Sequence, residues 1–196
     1  MKSVRYLLSL VVISLVPLAF AQSDAQNSET HTSAMQKPEA PKTEAQKSFE
    51  QMKTLAGSWE GPVTVQPPSP RTSVNKPIQV TLRVTSMGNL LMHEMKSSER
   101  PDNPITTIYL DGDNLQLTHY CDAGNRPRMV GKLLPDGKTV EFEFLDVAGS
   151  TAYGHMDHAV FTPIDANHHI EDWTFIVNTK QGPTPMHAHF DLHRKS

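Results

Sequence analysis

Hydrophobic and polar residues alternate along most of the chain after Gly57. The run IQVTLRVT at 78–85 sets four apolar residues against four polar ones, and similar alternation recurs at 115–121 and 186–193. Alternation with a period of two is typical of a β-strand with one buried face. Short turn sequences rich in Gly, Asp and Pro, such as 135–137, separate the runs. The pattern therefore predicts strands joined in consecutive hairpins.

About ten strands follow from this pattern. They are expected near residues 58–66, 77–86, 89–97, 104–111, 114–121, 127–134, 138–145, 154–162, 168–178 and 185–194. No helical crossover separates them, so the sheet is expected to be antiparallel and to follow chain order. Closing such a sheet removes its two edge strands. The sequence thus predicts an all-β fold, an antiparallel meander barrel of about ten strands, with a sandwich as the competing architecture.

One short amphipathic helix is predicted before the first strand, over residues 43–56. Thr43 with Gln46 three residues later matches a capping box, and the apolar residues that follow recur with helical spacing. Gly57 is expected to end this helix in a left-handed conformation.

The first 42 residues have a different composition. Lys2 and Arg5 precede the apolar run LLSLVVISLVPLAF, and small residues at Ala19 and Ala21 match a signal-peptidase site. Residues 1–21 are therefore predicted to be a signal peptide cleaved after Ala21, which makes the protein secreted or periplasmic. Residues 22–42 are polar and contain no Phe, Tyr or Trp, so they are predicted to be a disordered linker. The barrel domain is expected over residues 43–196.

Charge and cysteine content exclude several classes of protein. The formal net charge is −3, and loss of Lys2 and Arg5 makes the chain more acidic, which argues against a nucleic-acid partner. Pro17 interrupts an apolar run too short to span a membrane well, so no stable membrane insertion is expected after cleavage. A single cysteine excludes an internal disulfide framework.

The stretch LTHYCDAGNRPRM, residues 117–129, holds the first group of candidate site residues. His119 and Cys121 share one face of the predicted strand, and a lumen-facing pair would place an imidazole beside a thiol. The alternative is an inert buried cysteine. Arg126 and Arg128 flank a proline and could hold an acidic ligand group.

The same arginines have a structural alternative, which is pairing with Glu141 or Glu143 on the next strand. The neighbours Glu171 and Asp172 are expected to point to opposite faces of their strand. His168 and His169 flank a turn and are expected to be solvated.

Histidines concentrate at the end of the chain. The sequence contains ten, and His187, His189, Asp191 and His193 fall on one face of the last predicted strand. Histidines two residues apart on a strand can bind zinc with a third ligand from a neighbouring strand, so His187 and His189 are candidate metal ligands. Alternatively, this face of the strand simply points outward into water.

The segment LAGSWEG, residues 55–61, resembles the opening signature of the lipocalin and fatty-acid-binding (calycin) barrels. The resemblance implies that Gly57 and Trp59 are structural and that Arg194 covers Trp59 at one barrel end. LTHYCDAGNRPRM and HHIEDWTF also resemble uncharacterised secreted bacterial proteins with lipocalin-like or nitrobindin-like barrels. Nitrobindin-like barrels have ten strands and bind haem through a histidine, so this resemblance adds haem to zinc as a candidate cofactor.

Together these features favour a binding module for a small hydrophobic or amphipathic ligand over an enzyme. The ligand-binding candidates are His119, Cys121, Arg126, Arg128, Trp173 and His189. A metal-dependent or histidine-dependent enzyme in the same barrel is one alternative, and a pocketless interaction module of the cell envelope is another.

Overall fold

The structure, a computed structural model, describes residues 40–68, 77–98 and 103–195. The predicted signal peptide and residues 22–39 of the predicted linker lie outside these residues. Helix α1 spans Glu44–Lys53, and a short 3₁₀ turn spans Ser86–Gly88. The strands within the described residues are β1 (Gly57–Gly61), β2 (Val63–Gln66), β3 (Ile78–Thr85), β4 (Leu90–Lys96), β5 (Ile105–Asp111), β6 (Asn114–Tyr120), β7 (Asn125–Leu133), β8 (Val140–Gly149), β9 (His155–Asp165), β10 (His168–Thr179) and β11 (Gly182–Arg194).

The strands form one closed antiparallel sheet. From β3 to β11 each strand pairs with the next, and β1 pairs with both β3 and β11. β2 also pairs with β11. Pro62 separates β1 from β2 because it has no N–H for the ladder, although its carbonyl still accepts from the Asp191 N–H at 3.2 Å. β1 and β2 thus act as one interrupted strand, and the predicted ten-stranded antiparallel barrel is confirmed.

Helix α1 begins as the sequence predicts and ends earlier. The Thr43 hydroxyl accepts from the Gln46 N–H while the Gln46 side chain accepts from the Thr43 N–H. The helix ends at Lys53, and Gly57 starts β1 with φ 148°. The prediction that Gly57 caps the helix is therefore wrong. A glycine suits this position because residues with a side chain rarely adopt this φ, and a Cβ would also lie 2.1 Å from Nη1 of Arg194.

Helix α1 packs over one end of the barrel. Its Phe49 and Met52 are buried, and its Ser48 hydroxyl accepts from the Leu133 N–H at 3.0 Å, where β7 ends. We call this end the helix end. The opposite end, formed by the β6–β7, β8–β9 and β10–β11 connections, is called the far end. Within the described residues, no helix has the length and apolar character needed to cross a membrane.

The barrel interior combines an apolar core with buried polar side chains. Phe142, Phe161 and Trp173 pack edge-on against one another, with ring centroids 5.9 Å and 5.5 Å apart along the series. The polar residues buried with them include His93, Thr106, His119, His169 and Glu171. These polar residues define the candidate site.

Candidate functional site

Glu171 is the centre of a buried hydrogen-bonded cluster. Inward-facing positions of β10 alternate with outward ones, so His169, Glu171 and Trp173 all point into the barrel. The His169 Nε2 lies 3.0 Å from Oε1 of Glu171, and the Trp173 indole N–H donates to Oε2 at 3.0 Å. From β4, the His93 Nε2 lies 3.0 Å from Oε2 and 3.2 Å from Oε1. We call His93, His169, Glu171 and Trp173 the Glu171 cluster.

The Glu171 carboxyl is ionised despite its burial. Desolvation raises the pKa of the Glu171 carboxyl, but the charge of His93 and the hydrogen bonds from His169 and His93 outweigh this. The pKa is therefore held well below its usual range. The side chains of Glu171, His93 and His169 are fully inaccessible to solvent. The cluster thus keeps a negative charge inside the barrel, hydrogen-bonded to two imidazoles and one indole.

Both cluster histidines keep an unused nitrogen. Within the described part of the chain, the buried Nδ1 atoms of His93 and His169 have no hydrogen-bond partner. A buried polar atom without a partner costs free energy, and such atoms in a native fold call for an explanation. The imidazoles therefore retain hydrogen-bonding capacity that the fold itself does not use.

His119 extends the polar interior towards the far end. Its ring centroid lies 5.7 Å from that of Trp173, which is also 5.7 Å from that of His93. The His119 Nδ1 lies 2.8 Å from the Thr106 hydroxyl oxygen. Burial, and secondly the charge of His93, lower the pKa of His119 to about 4. At neutral pH His119 is thus an uncharged imidazole, with one nitrogen that donates a hydrogen bond and one that accepts.

The far end has a partly open wall between β8 and β9. These strands pair only from Val140 to Glu143 against Phe161 to His158, while β8 continues to Gly149 along β7 alone. The Phe144 ring packs on the His155 ring across this separation, at 4.7 Å between centroids. Phe144 remains 39% exposed and Tyr153 76% exposed. This side of the far end is therefore apolar and only partly covered.

Two asparagines hold the β8–β9 loop over the far end. The buried Asn125 amide donates to the carbonyls of Ser150 at 2.8 Å and Gly154 at 2.7 Å. The Asn178 amide donates to the Thr151 carbonyl at 2.6 Å. Since β7 and β10 lie on either side of the β8–β9 pair, these bonds anchor the loop to both flanks.

The structure separates the candidate residues of the sequence analysis. Trp173 and His119 lie together inside the barrel. Cys121 follows β6 and is half-buried, with its sulfur 3.5 Å from the Ala123 nitrogen. Arg126 is exposed at the start of β7. The predicted ligand-binding role of each residue stays a prediction.

Arg128 forms a salt bridge to the neighbouring strand, as the structural alternative for the arginines expects, but its partner is Asp146. Its Nε donates to Asp146 at 2.8 Å, whereas Lys132 pairs with Glu141 and Glu143. The expected partners were wrong because the β7–β8 register places Arg128 opposite Asp146 and Lys132 opposite Glu141.

His187 and His189 lie on the outer face of β11. The inward positions of this strand carry residues such as Phe190 and Leu192, which are buried. His189 Nδ1 lies 2.7 Å from Asp172 Oδ1, and His187 Nδ1 lies 3.0 Å from the Thr174 hydroxyl. His187 and His189 therefore point away from the interior, and the metal-binding role predicted for these two residues stays a prediction.

Sequence reasoning missed the centre of the cluster. Glu171 and Asp172 do point to opposite faces, as expected, but the inward position of Glu171 was not recognised. The prediction that His169 is solvated is wrong, because β10 begins at His168 and its alternation turns His169 inward. The sequence HHIEDW contains a signal for this inward orientation, since alternation places His169 and Glu171 on the same strand face as the large apolar residue Trp173. His93, which lies 78 residues away from Glu171 along the chain, has no such local signal.

Two surface cavities of about 320 Å³ each flank Trp59. One lies over β1 and β3 and the other beside α1 and the β9–β10 turn. The Arg194 guanidinium stacks 4.1 Å from the Trp59 ring and donates to the Ala56 carbonyl at 3.0 Å. The arginine–tryptophan contact expected from the lipocalin resemblance is thus present, and it closes the helix end.

No family model and no curated protein matches this sequence. Among solved structures, the chain is similar to a protein of unknown function from the DUF3598 family of Nostoc punctiforme PCC 73102. The sequence identity is 15% and the TM-score is 0.49, over 74% of this chain and 48% of that chain. The chain therefore spans about half the length of that protein. The likeness assigns no activity.

Proposed function

We propose that the protein is an exported, lipocalin-like barrel that binds a small amphipathic molecule at its far end. The apolar part of the ligand would pack against Trp173 and Phe144, and its polar group would bond to His119. The observation that carries this proposal is an uncharged, 3% exposed imidazole placed between a buried carboxylate cluster and the partly open far end.

The energetics of the interior support a functional role. Burying an ionised carboxylate costs several kcal/mol before its partners offset it, and replacing a buried ionic group with packed apolar residues is often neutral or stabilising. A barrel that only needed to fold could fill its core with residues such as Phe142 and Phe161. Strongly perturbed pKa values such as those of Glu171 and His119 are typical of binding and catalytic sites.

The far end offers a route of entry. Because β8 and β9 do not pair beyond Glu143 and His158, the side chains of Phe144 and His155 fill the separation in place of backbone ladder bonds. Rotation of these two side chains would open a path to Trp173 without breaking the sheet. Side-chain rotation of partly exposed residues is fast and costs little compared with strand separation.

The lipocalin-like assignment and the location complete the proposal. The Arg194–Trp59 contact is the feature that the calycin resemblance leads one to expect, and the barrel has the required antiparallel strand order. The basic and apolar start of the chain, with small residues at 19 and 21, supports export to the periplasm or medium. Its amphipathic ligand would then be met outside the cytoplasm.

The two tryptophans allow a test that locates the ligand. Trp173 reports on the far end and Trp59 on the helix end. Dodecanoate and the anionic dye 8-anilinonaphthalene-1-sulfonate serve as probes, titrated into Trp59→Phe and Trp173→Phe variants while tryptophan emission is recorded. We expect saturable changes in the variant that keeps Trp173 and none in the variant that keeps Trp59. A response from Trp59 alone, or no saturable response to either probe, would overturn the proposal in favour of another site or a pocketless module.

A second variant separates binding from folding. His119→Gln keeps a donor and an acceptor but moves them, so probe affinity should fall at least about tenfold, which corresponds to loss of one good hydrogen bond. His187→Gln changes an exposed histidine on the outer face and should leave the affinity unchanged. Unfolding midpoints of both variants establish that the barrel remains folded.

A further inference from the structure

We propose a divalent transition-metal site on the outer surface of the barrel, formed by His168, Asp191 and His193 and suited to Zn²⁺. It lies near the helix end, apart from the Glu171 cluster, and differs from the His187 and His189 pair. Its three side chains come from two adjacent strands, and each points outward.

The register of the sheet brings the three residues together. His168 of β10 lies directly opposite His193 of β11, and Asp191 precedes His193 by two residues on the same face. The two imidazole rings stack with centroids 4.3 Å apart and planes 15° apart. The stacking points both Nε2 atoms at the same carboxylate, so the arrangement is set by the backbone of two neighbouring strands.

The ligand atoms already have nearly the spacing that zinc requires. His168 Nε2 lies 2.7 Å and His193 Nε2 lies 3.4 Å from Oδ1 of Asp191, and all three ligand atoms lie within 4.8 Å of one another. In a tetrahedral site with bonds of about 2.1 Å, two ligand atoms are about 3.4 Å apart. Small rotations of these partly exposed side chains would therefore complete the geometry.

The donor set selects the class of metal. Two imidazole nitrogens and one carboxylate oxygen suit Zn²⁺ and related late transition metals, whereas Mg²⁺ and Ca²⁺ prefer oxygen ligands. Three protein ligands leave one tetrahedral position for water or for a molecule from solution. His193 is the most accessible of the three, with 62% of its side chain exposed. The open position would thus face solvent.

The same outer face provides a matched control. His189 also lies beside an aspartate, with Nδ1 2.7 Å from Oδ1 of Asp172. That pair supplies one imidazole and one carboxylate, and the neighbouring His187 Nδ1 bonds the Thr174 hydroxyl instead. His189→Ala therefore removes a histidine–aspartate contact from the same two strands without touching the proposed ligands.

The test uses the full-length protein without a histidine tag, stripped with a chelator and then dialysed. Zn²⁺ binding is measured by calorimetry, and Co²⁺ binding by its visible absorption, for wild type, His168→Ala, His193→Ala, Asp191→Asn and His189→Ala. We expect wild type and His189→Ala to bind one ion alike. Each histidine ligand variant should bind about 100-fold more weakly or worse, because loss of a residue that merely orients a ligand already costs about 10- to 100-fold.

Three outcomes would overturn this site. They are no binding by wild type at micromolar Zn²⁺, unchanged binding by both His168→Ala and His193→Ala, or loss of binding in His189→Ala with retention in His193→Ala. The last result would move the metal to the His187 and His189 pair. Asp191→Asn keeps the size of the side chain and removes its charge, so it should lower the affinity for Zn²⁺ without changing the circular dichroism spectrum.

Discussion

Acidification should destabilise the barrel through His119. In the folded chain burial, and secondly the charge of His93, lower the pKa of His119 from the ordinary 6.5 to about 4. As the pH falls below about 6.5, the imidazole of the unfolded chain takes up a proton while the buried one does not, so acid favours the unfolded state. The full stability is present above about pH 6.5 and is progressively lost down to about pH 4, below which both states are protonated.

The size of the effect follows from the two pKa values. Each full pH unit between them contributes about 1.4 kcal/mol, and titration is incomplete at both limits of the range, so lowering the pH from 7 to 4.5 should reduce the free energy of unfolding by about 2.5 kcal/mol through this residue. Glu171 changes the stability little over this pH range. Its pKa is lowered in the fold, so stability is lost through Glu171 only as the pH falls below about 4.3, where the glutamate of the unfolded chain takes up a proton.

Urea unfolding followed by tryptophan fluorescence at pH 7, 6, 5 and 4.5 measures this dependence. His119→Gln lacks the titrating group, so its free energy of unfolding should fall by about 2.5 kcal/mol less than that of wild type over the same range. His187→Gln, which removes an exposed imidazole, should follow the wild-type slope. If His119→Gln loses as much stability as wild type, a buried neutral imidazole at this position is not the cause.

Two further substitutions test what holds the interior and the helix end. Glu171→Gln removes a buried charge from its imidazole partners and should lower the free energy of unfolding at pH 7 by about 3–5 kcal/mol, whereas Glu143→Gln, at the surface, should cost under about 1 kcal/mol. Equal costs in urea unfolding would contradict a charged cluster. Arg194→Met loses the stack on Trp59 and two hydrogen bonds to carbonyls, and should cost about 1–3 kcal/mol. The surface variant Arg83→Met should change stability by under about 0.5 kcal/mol, and an Arg194 effect no larger than this would refute its closing role.

The strands could be predicted because alternation is a local property. The expected strand at 77–86 corresponds to Ile78–Thr85, and the expected strand at 185–194 lies within Gly182–Arg194. Closure also followed, since consecutive hairpins leave two edges that pair most simply with each other. Pro62 shows where alternation stops being a sufficient guide, because the single strand expected over 58–66 is interrupted there.

The candidate site could not be predicted in the same way, because it depends on long-range register. Alternation places His187 and Phe190 on opposite faces, but it does not indicate which face is inside. Arg128 was given the wrong partner because its register against β8 places Asp146 opposite it, next to a β-bulge between Arg128 and Met129. The contact between His93 and Glu171 joins β4 to β10, which are not neighbours in the sheet, so no hairpin pattern could indicate it.

The order of residues along β10 connects the two ends of the barrel. From the helix end to the far end its inward positions are His169, Glu171, Trp173 and Phe175. His169 packs edge-on against Trp59, with ring centroids 4.2 Å apart, so Trp59 at the helix end supports one imidazole partner of the Glu171 carboxylate. Trp173 bonds the other carboxylate oxygen with its N–H and presents its ring to His119. Through Trp173, the charge of Glu171 fixes the orientation of the aromatic surface that a ligand at the far end would meet. A side chain that is already held in place loses less conformational entropy when a ligand binds. This is a physical reason for the barrel to retain the buried charge of Glu171, although an apolar residue there would also allow folding.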